Sequence, residues 1–269
     1  MCMKQKTEIG RYDLQRNIMK YVLFRIDYIG IANTMDLYNV FTSNFSDKFA
    51  SFSTSQQNKY DIQINDLESV SESLTIPIKE IQKEEIFKFT HNTFGTDELT
   101  LNITRFFSTL QIKCTNYHTI DEYLAFFSEM IGEFKNKLKF FNIKRIGLRK
   151  VGGNAFLATE QNVIYEYFNK ELFSFATNIQ GSTLINGRHF DAIAYNDTSI
   201  VNIIRLFEKG RINNDDAIQI TLDLDGYLTG ERLEERNAKK ILTDINDKLF
   251  DIFKQHMTDE FLNEYLNEK

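Results

Sequence analysis

Residues 217–226 read Ala-Ile-Gln-Ile-Thr-Leu-Asp-Leu-Asp-Gly, and apolar and polar side chains alternate strictly from Ile218 to Asp225. A period of two places successive side chains on opposite faces of a β-strand, so this stretch predicts a strand with one buried face. Residues 143–151 (IKRIGLRKV) predict a second strand, and Gly152-Gly153-Asn154 predicts a turn directly after it. These two segments, together with the long helices predicted beside them, decide the expected fold.

Two regular apolar stripes predict those helices. After the capping-box sequence Thr119-Ile120-Asp121-Glu122, apolar residues recur at steps of four and three as far as Phe141. A second long helix is predicted from about Leu233, with a similar stripe from Ala238 to His256. Stripes of this kind pack against a sheet, against each other or against the same helix of a second chain.

The remaining segments complete an α+β pattern. Strands are expected at 21–29, 85–91, 99–104 and 198–207, and a helix capped by Thr34 is expected to end at about Phe52. Segment 208–216 predicts a polar hairpin loop, and 53–82 predicts a surface excursion. The predicted fold is a mostly antiparallel sheet, or sheets, with long amphipathic helices packed on one face, in two loosely similar strand–loop–long-helix halves.

The expected domain organisation follows that pattern. It consists of a polar lead-in over 1–20, an N-terminal α+β half over 21–154 and a C-terminal α+β half over 155–269. A single continuous domain is the alternative.

Composition excludes several classes of protein. The 269 residues include 32 Lys and Arg and 38 Asp and Glu, for a formal net charge of −6, which disfavours broad binding to nucleic acid. The cysteines Cys2 and Cys114 cannot build a disulfide framework, so a reducing cytoplasm is expected. The N-terminus lacks the apolar core of a secretory signal, and no run of about 18 apolar residues occurs, so no association with a membrane is expected.

Two motifs resemble those of a sporadically distributed family of uncharacterised bacterial proteins. The first is Arg145-Ile146-Gly147-Leu148-Arg149, after a long helix introduced by Tyr117. The second combines Leu222-Asp223-Leu224-Asp225 with a long helix that ends in Met257-Thr258-Asp259. The chain departs from the family at Lys150, where the family has Tyr, and at Gly152, where it has Asn. The resemblance covers about 100–261 and implies an architecture and a bacterial cytosolic origin. Because the family has no established activity, no catalytic residue is transferred.

Asp223 and Asp225 are the strongest candidates for a metal site in the sequence. Two residues apart on a strand, they share a face, and paired carboxylates bind hard cations. The alternative is that both lie on a solvated face, paired with arginine. The sequence offers no obvious third ligand, and neither a bound metal nor a cofactor is predicted.

Arg145 and Arg149 also share a face, and Arg–Asp pairs follow if the two motif strands are neighbours. In a functional interpretation these arginines and Lys150 bind an anionic ligand or the acidic surface of a partner. The candidate ligand- or partner-binding residues are therefore Arg145, Arg149, Lys150, Asp223 and Asp225.

Other combinations of residues are weaker candidates for a functional site. His256 with Glu260 has the spacing of a helical half-site for a metal, but a histidine on an apolar face is more often a hydrogen-bonded core residue. Cys114 and His118 lack a third catalytic member and donors for an oxyanion. No phosphate-binding loop, dinucleotide fingerprint, nucleophile elbow, HExxH or CxxC motif occurs, so no catalytic residue is predicted.

These observations favour a non-enzymatic binding or assembly protein, with a protein partner or a second copy of the chain as its ligand. One alternative is a metal-assisted enzyme acting on a phosphate-bearing substrate through Asp223, Asp225, Arg145 and Arg149. Another is an accessory factor of a mobile-element or anti-phage locus, which the sporadic distribution of the resembled family suggests.

Overall fold

In the part of the chain that the structure describes, nine strands form one antiparallel sheet in the order β2-β3-β4-β5-β1-β6-β9-β8-β7. The computed structural model describes residues 9–14, 18–62, 78–94, 97–115, 119–157, 161–173, 185–230, 233 and 237–266. The strands are β1 (Met19–Ile29), β2 (Ser51–Ile62), β3 (Ile78–Phe94), β4 (Asp97–Ile103), β5 (Phe107–Lys113), β6 (Asn142–Phe156), β7 (Asn186–Ala194), β8 (Ser199–Ile212) and β9 (Asp215–Thr229).

Helices cover one face of this sheet. They are α1 (Thr34–Phe45), α2 (Asp121–Lys137), α3 (Ala238–His256) and α4 (Asp259–Leu266). Phe24 on β1 contacts Phe127 on α2 with ring centroids 5.4 Å apart, and Phe41 on α1 lies 4.6 Å from Phe89 on β3. The main hydrophobic core therefore lies between these helices and the sheet.

Alternation along the strands separates two faces. On β1, Val22, Phe24, Ile26 and Tyr28 are buried against the helices, and the residues between them are only partly buried. We call the side of the sheet that carries Val22 and Phe24 the helix face. We call the opposite side the ladder face, after the row of Arg–Asp ion pairs that lies on it. A residue's position in the strand register therefore fixes which face its side chain occupies.

The fold class predicted from sequence is wrong. The framework is one continuous nine-stranded sheet, and the α-helices of the described residues are short, with 8 to 19 residues. No break separates the two expected halves. The turn and the loop that the sequence predicted as interruptions lie instead within a strand and at a tight connection between two paired strands. The division placed after residue 154 falls inside β6, which pairs with strands on both sides of it.

The first interruption was Gly152-Gly153-Asn154, which continues β6 instead of turning. A Cβ at Gly153 would lie 2.1 Å from the carbonyl oxygen of Ile220, and one at Gly152 would lie 2.7 Å from that of Ile18. Glycine at these two positions therefore lets the neighbouring backbone segments approach closely, because it has no side chain.

The second interruption was the loop expected at 208–216. The loop has only two residues, Asn213 and Asn214, with φ of 52° and 74°. Positive φ at both central residues is typical of a type I′ hairpin turn, whose twist matches that of the flanking strands. The polar residues around it consequently extend β8 and β9.

Local helix predictions also need correction. Asn33, not Thr34, caps α1 by accepting a hydrogen bond from the Met35 N–H at 2.9 Å, and α1 ends at Phe45. The Thr119 hydroxyl accepts from the Asp121 N–H at 3.3 Å, so the bond goes to Asp121 and not to the third helical position. The Thr258 hydroxyl lies at the start of α4 and accepts a hydrogen bond from the Phe261 N–H at 3.1 Å.

No helix in the described parts of the chain has the length and apolar character needed to cross a membrane. Tyr117 and His118, which the sequence analysis named, lie outside the described residues.

Candidate functional site

The two motif strands are neighbours, so the five candidate residues can be placed directly. In the β6–β9 register, Arg149 lies directly opposite Asp225. The two Arg–Asp ion pairs between these strands nevertheless run diagonally, so neither joins residues that are directly opposite. Arg149 binds Asp223 through Nε to Oδ1 at 2.8 Å and Nη2 to Oδ2 at 2.5 Å. Arg145 donates from Nη2 to Oδ2 of Asp225 at 3.1 Å. The expected cross-strand Arg–Asp pairing is confirmed in this geometry.

Gly147 explains the spacing of the first motif. It lies opposite Tyr227 on β9, and a Cβ there would be 3.2 Å from the Tyr227 Cβ. The missing side chain leaves room for Tyr227 between the two arginines. The Arg145 guanidinium lies over the Tyr227 ring, 4.2 Å from its centroid, a favourable cation–π contact.

The ion pairs continue onto β1. Arg25 donates from Nε to Oδ1 of Asp27 at 2.6 Å, and Asp27 lies opposite Arg145 in the β1–β6 register. We call Arg25, Asp27, Arg145, Arg149, Asp223 and Asp225 the charge ladder. Its three guanidinium groups and three carboxylates balance in charge. The geometry therefore suits cross-strand stabilisation of β1, β6 and β9 better than capture of an anion or a cation.

Burial strengthens the Arg149–Asp223 ion pair of the charge ladder. The Asp223 side chain is only 9% exposed, whereas that of Arg149 is 39% exposed. The hydrogen bond from Arg149 to the Asp223 carboxylate raises the pKa of the guanidinium above its ordinary value. A carboxylate buried to this degree depends on its arginine for solvation.

Lys150 is separate from the other four candidates. It lies opposite Val22 and Leu224, so its side chain is on the helix face, whereas the charge ladder is on the ladder face. There it contributes to the wall of a cavity of about 70 Å³ under α3. The sequence grouped Lys150 with Arg149 as a neighbour in the chain, but adjacent strand residues point to opposite faces.

Segment 9–14 closes this cavity through polar contacts. Arg11 pairs with Asp247 on α3 and donates to the Tyr12 hydroxyl at 2.9 Å. The Tyr12 hydroxyl in turn donates to Asp121 at the start of α2 at 2.9 Å. We call residues 9–14 the strap. It connects the beginning of the described chain to two helices.

His256 is a core histidine. Its Nε2 lies 3.1 Å from Nη1 of Arg205, and its Nδ1 lies 2.7 Å from the carbonyl oxygen of Ile252. Arginine only donates, so Nε2 accepts and the proton is on Nδ1, which donates to Ile252. Arg205 also pairs with Asp191 on β7. Burial, followed by the charge of Arg205, lowers the pKa of His256 to about 4.

Sequence reasoning did not single out Asn246 and Arg11, which also line the cavity. One signal was present, because Asn246 is a polar residue four positions after Leu242 and three before Leu249 in the apolar stripe of α3. Arg11 carried no signal, since its place near α3 depends on a contact across 236 positions of the chain. Cys114 is half-buried, with its Sγ 3.8 Å from the carbonyl oxygen of Ile112.

Comparisons with known proteins give little guidance. No protein-family model matches the chain, and no curated protein matches it. Among solved structures, the chain is similar to DynU16, a protein in the dynemicin biosynthetic locus, at 8% sequence identity and a TM-score of 0.21. That comparison covers 92% of this chain and 97% of DynU16. A TM-score this low supports no inference about fold or function.

Proposed function

We propose that this chain is a non-enzymatic assembly protein that pairs with a second copy of itself through strand β7. The observation that carries the proposal is the exposure of β7 at the edge of the described sheet. Every residue of β7 except Gly187 is exposed. An edge strand offers unpaired backbone groups, and a strand of another chain can satisfy them.

The side chains of β7 do not protect this edge. Phe190 is 57% exposed and Ile193 is 40% exposed, and Ile185 just before the strand is 68% exposed. Soluble proteins usually blunt an exposed edge with lysine, proline or a bulge, and β7 contains neither lysine nor proline. At the other edge, residues 51–56 of β2 are mostly serine, threonine and glutamine. The two edges thus differ in polarity, which favours β7 for association.

The sequence of β7 fits an antiparallel copy of itself. With a two-fold axis through Phe190, each Phe190 faces its counterpart and His189 faces Asp191 of the second copy. Arg188 then faces Ala192, so no like charges are opposed. Symmetric pairing of the same surface on both chains is the usual form of a homodimer, and a hydrogen bond from the His189 ring to the Asp191 carboxylate across the strands favours the register.

The alternatives have weaker support. The apolar stripes on α2 and α3 are buried within the chain, so they do not offer surfaces to a second copy. Both carboxylates proposed for a metal-assisted enzyme are paired with arginine, and the described residues contain no cluster of three metal-ligating side chains. A role at a mobile-element or anti-phage locus stays a prediction, to be checked by gene neighbourhood.

The test is the oligomeric state of the purified chain, measured by size exclusion with light scattering and by sedimentation velocity. We expect a dimer for the natural sequence. Phe190→Lys should weaken dimerisation by at least about tenfold, because it places two ammonium groups face to face on the two-fold axis. Ala192→Pro should act similarly by removing a backbone donor.

Phe140→Lys is the matched control. Phe140 is 69% exposed and lies between α2 and β6, so this change should leave the dimer intact. A natural chain that stays monomeric at all concentrations, or a dimer that tolerates both β7 variants, contradicts the proposal.

A further inference from the structure

We propose that the cavity between α3 and strands β6 and β9 binds a small amphipathic carboxylic acid that also carries a hydroxyl or amino donor. The carboxylate meets Lys150, the donor meets Asn246, and the apolar body packs on the ring and aliphatic side chains of α3. The site lies within one chain and does not depend on pairing through β7.

The cavity has the composition of a small-molecule site. It has a volume of about 70 Å³, enough for a few water molecules or part of a small ligand. Mostly apolar side chains with a few convergent polar groups are typical of ligand pockets. The apolar lining comprises Leu14, Met19, Ile120, Leu224, Leu249, Phe250 and Phe253. The polar lining comprises Arg11, Tyr12, Thr119, Lys150 and Asn246.

Asn246 supplies the observation that points to a ligand. The residue is only 1% exposed, and its Oδ1 has no hydrogen-bond partner among the described residues. A buried carbonyl oxygen without a donor is rare in folded proteins, because it has lost its hydrogen bonds to water. Since Asn246 lines the cavity, a hydroxyl or amino group bound there can supply the missing donor.

Lys150 supplies the complementary charge. Burial, followed by the nearby Arg11, lowers the pKa of its amine to about 8. The titratable groups that act on it from the surrounding elements are Arg11 on the strap, Cys114 after β5, Asp121 on α2 and Asp247 on α3. A carboxylate beside the amine stabilises its charged form, so binding should raise this pKa again.

The strap makes the site a pocket instead of an open groove. Arg11 and Tyr12 line the cavity, and their contacts with Asp247 on α3 and Asp121 on α2 hold the strap against it. Such closure limits the size of the occupant and lowers the local dielectric. Ionic and hydrogen-bonded contacts inside are therefore stronger than at the surface.

The experiment uses 2-hydroxy-4-methylpentanoate as the probe, with isothermal titration calorimetry on the full chain at neutral pH. Two analogues separate the contacts: 4-methylpentanoate lacks the hydroxyl and 3-methylbutan-1-ol lacks the carboxylate. We expect one molecule bound per chain, with each analogue at least about tenfold weaker. In NMR with isotope-labelled lysine side chains, the probe should raise the pKa of Lys150.

Variants assign each contact to its residue. Lys150→Met should remove the preference for the carboxylate, and Asn246→Leu should remove the preference for the hydroxyl. Both replacements are apolar and of similar volume, and they remove a buried polar group, so the variants should fold. Lys144→Met, at an exposed position of the same strand, is the matched control and should bind like the natural chain.

No binding of the probe at millimolar concentration overturns the proposal. Equal affinity for the probe and both analogues, or unchanged preferences in Lys150→Met and Asn246→Leu, also overturns it. In those cases water alone fills the cavity and satisfies Asn246. A monomeric chain that still binds the probe separates this inference from the proposed dimer.

Discussion

At the scale of single residues, the Arg149–Asp223 pair shows how burial decides which partner matters more. Asp223 is almost fully enclosed and Arg149 reaches solvent, so the two deletions are not equivalent. Removing the arginine leaves a buried carboxylate uncompensated, whereas removing the charge of the aspartate leaves a guanidinium that water can solvate. At this position the ladder therefore depends on Arg149 more than on Asp223.

We expect Arg149→Met to lower the free energy of unfolding by about 2 kcal/mol or more, and Asp223→Asn to lower it by only about 1 kcal/mol. Urea denaturation monitored by circular dichroism measures both. Lys113→Met is the control, because the Lys113–Glu98 pair is exposed on both sides and should contribute less than about 0.5 kcal/mol. Equal losses for the two ladder variants would refute the argument from burial.

His256 predicts a loss of stability in acid. Its pKa is about 4 in the folded chain and 6.5 in the unfolded chain, so the unfolded chain binds more protons between these values. Stability should therefore fall as pH decreases from 6.5 to 4, by on the order of 3 kcal/mol for this group. The charged groups near the His256 ring are Arg205, which donates to it, and Asp191, which pairs with Arg205.

The measurement is the free energy of unfolding at a series of pH values for the natural chain and for His256→Gln. Glutamine can still accept from Arg205 and donate to Ile252 but does not titrate. The variant should show a flatter pH dependence across this window. If both proteins lose the same stability between pH 6.5 and 4, other groups account for the effect.

At the scale of elements, the contact of α3 with β9 depends on Gly226. A Cβ at this position would lie 2.7 Å from Cγ2 of Ile245 and 3.1 Å from Cδ2 of Leu249, both on α3. The helix can approach the strand this closely only because Gly226 has no side chain. Leu249, which this approach brings against Gly226, also lines the cavity together with Asn246 and Lys150, so the strand glycine also shapes the cavity.

Gly226→Ala should lower the free energy of unfolding by about 1–3 kcal/mol, because an added methyl group forces the helix outward. Thermal unfolding and urea denaturation measure the loss. Gly210→Ala on β8 is the control, since nothing lies within 4 Å of a Cβ there. That variant should be neutral or slightly more stable. If the two substitutions behave alike, close helix–strand packing is not the reason for Gly226.

At the scale of the whole molecule, the sheet places its charged, ligand-binding and edge features in three separate regions. The charge ladder crosses the three central strands on one face, and the cavity lies under α3 on the other. β7 lies at the outer edge, connected to the core through Asp191, Arg205 and His256. A second copy at β7 would thus pair next to a polar network that continues to the C-terminal end of α3.

Features that repeat over short distances along the chain could be predicted from the residues alone. Strict alternation predicted the strand at 217–225, and 143–151 was predicted as a strand with Arg145 and Arg149 on one face, because strand periodicity is local. The stripe on α3 predicted its buried face for the same reason.

The tertiary structure alone decided which strands are neighbours, and hence that one sheet spans the chain. It also decided that Gly152 and Gly153 lie inside a strand and that Lys150 and Asn246 line the same cavity under α3. These outcomes depend on contacts between residues far apart in sequence. Such contacts produce no repeating pattern of residues from which they could be predicted. A glycine that permits a turn and one that permits a neighbouring backbone look alike until both backbones are in place.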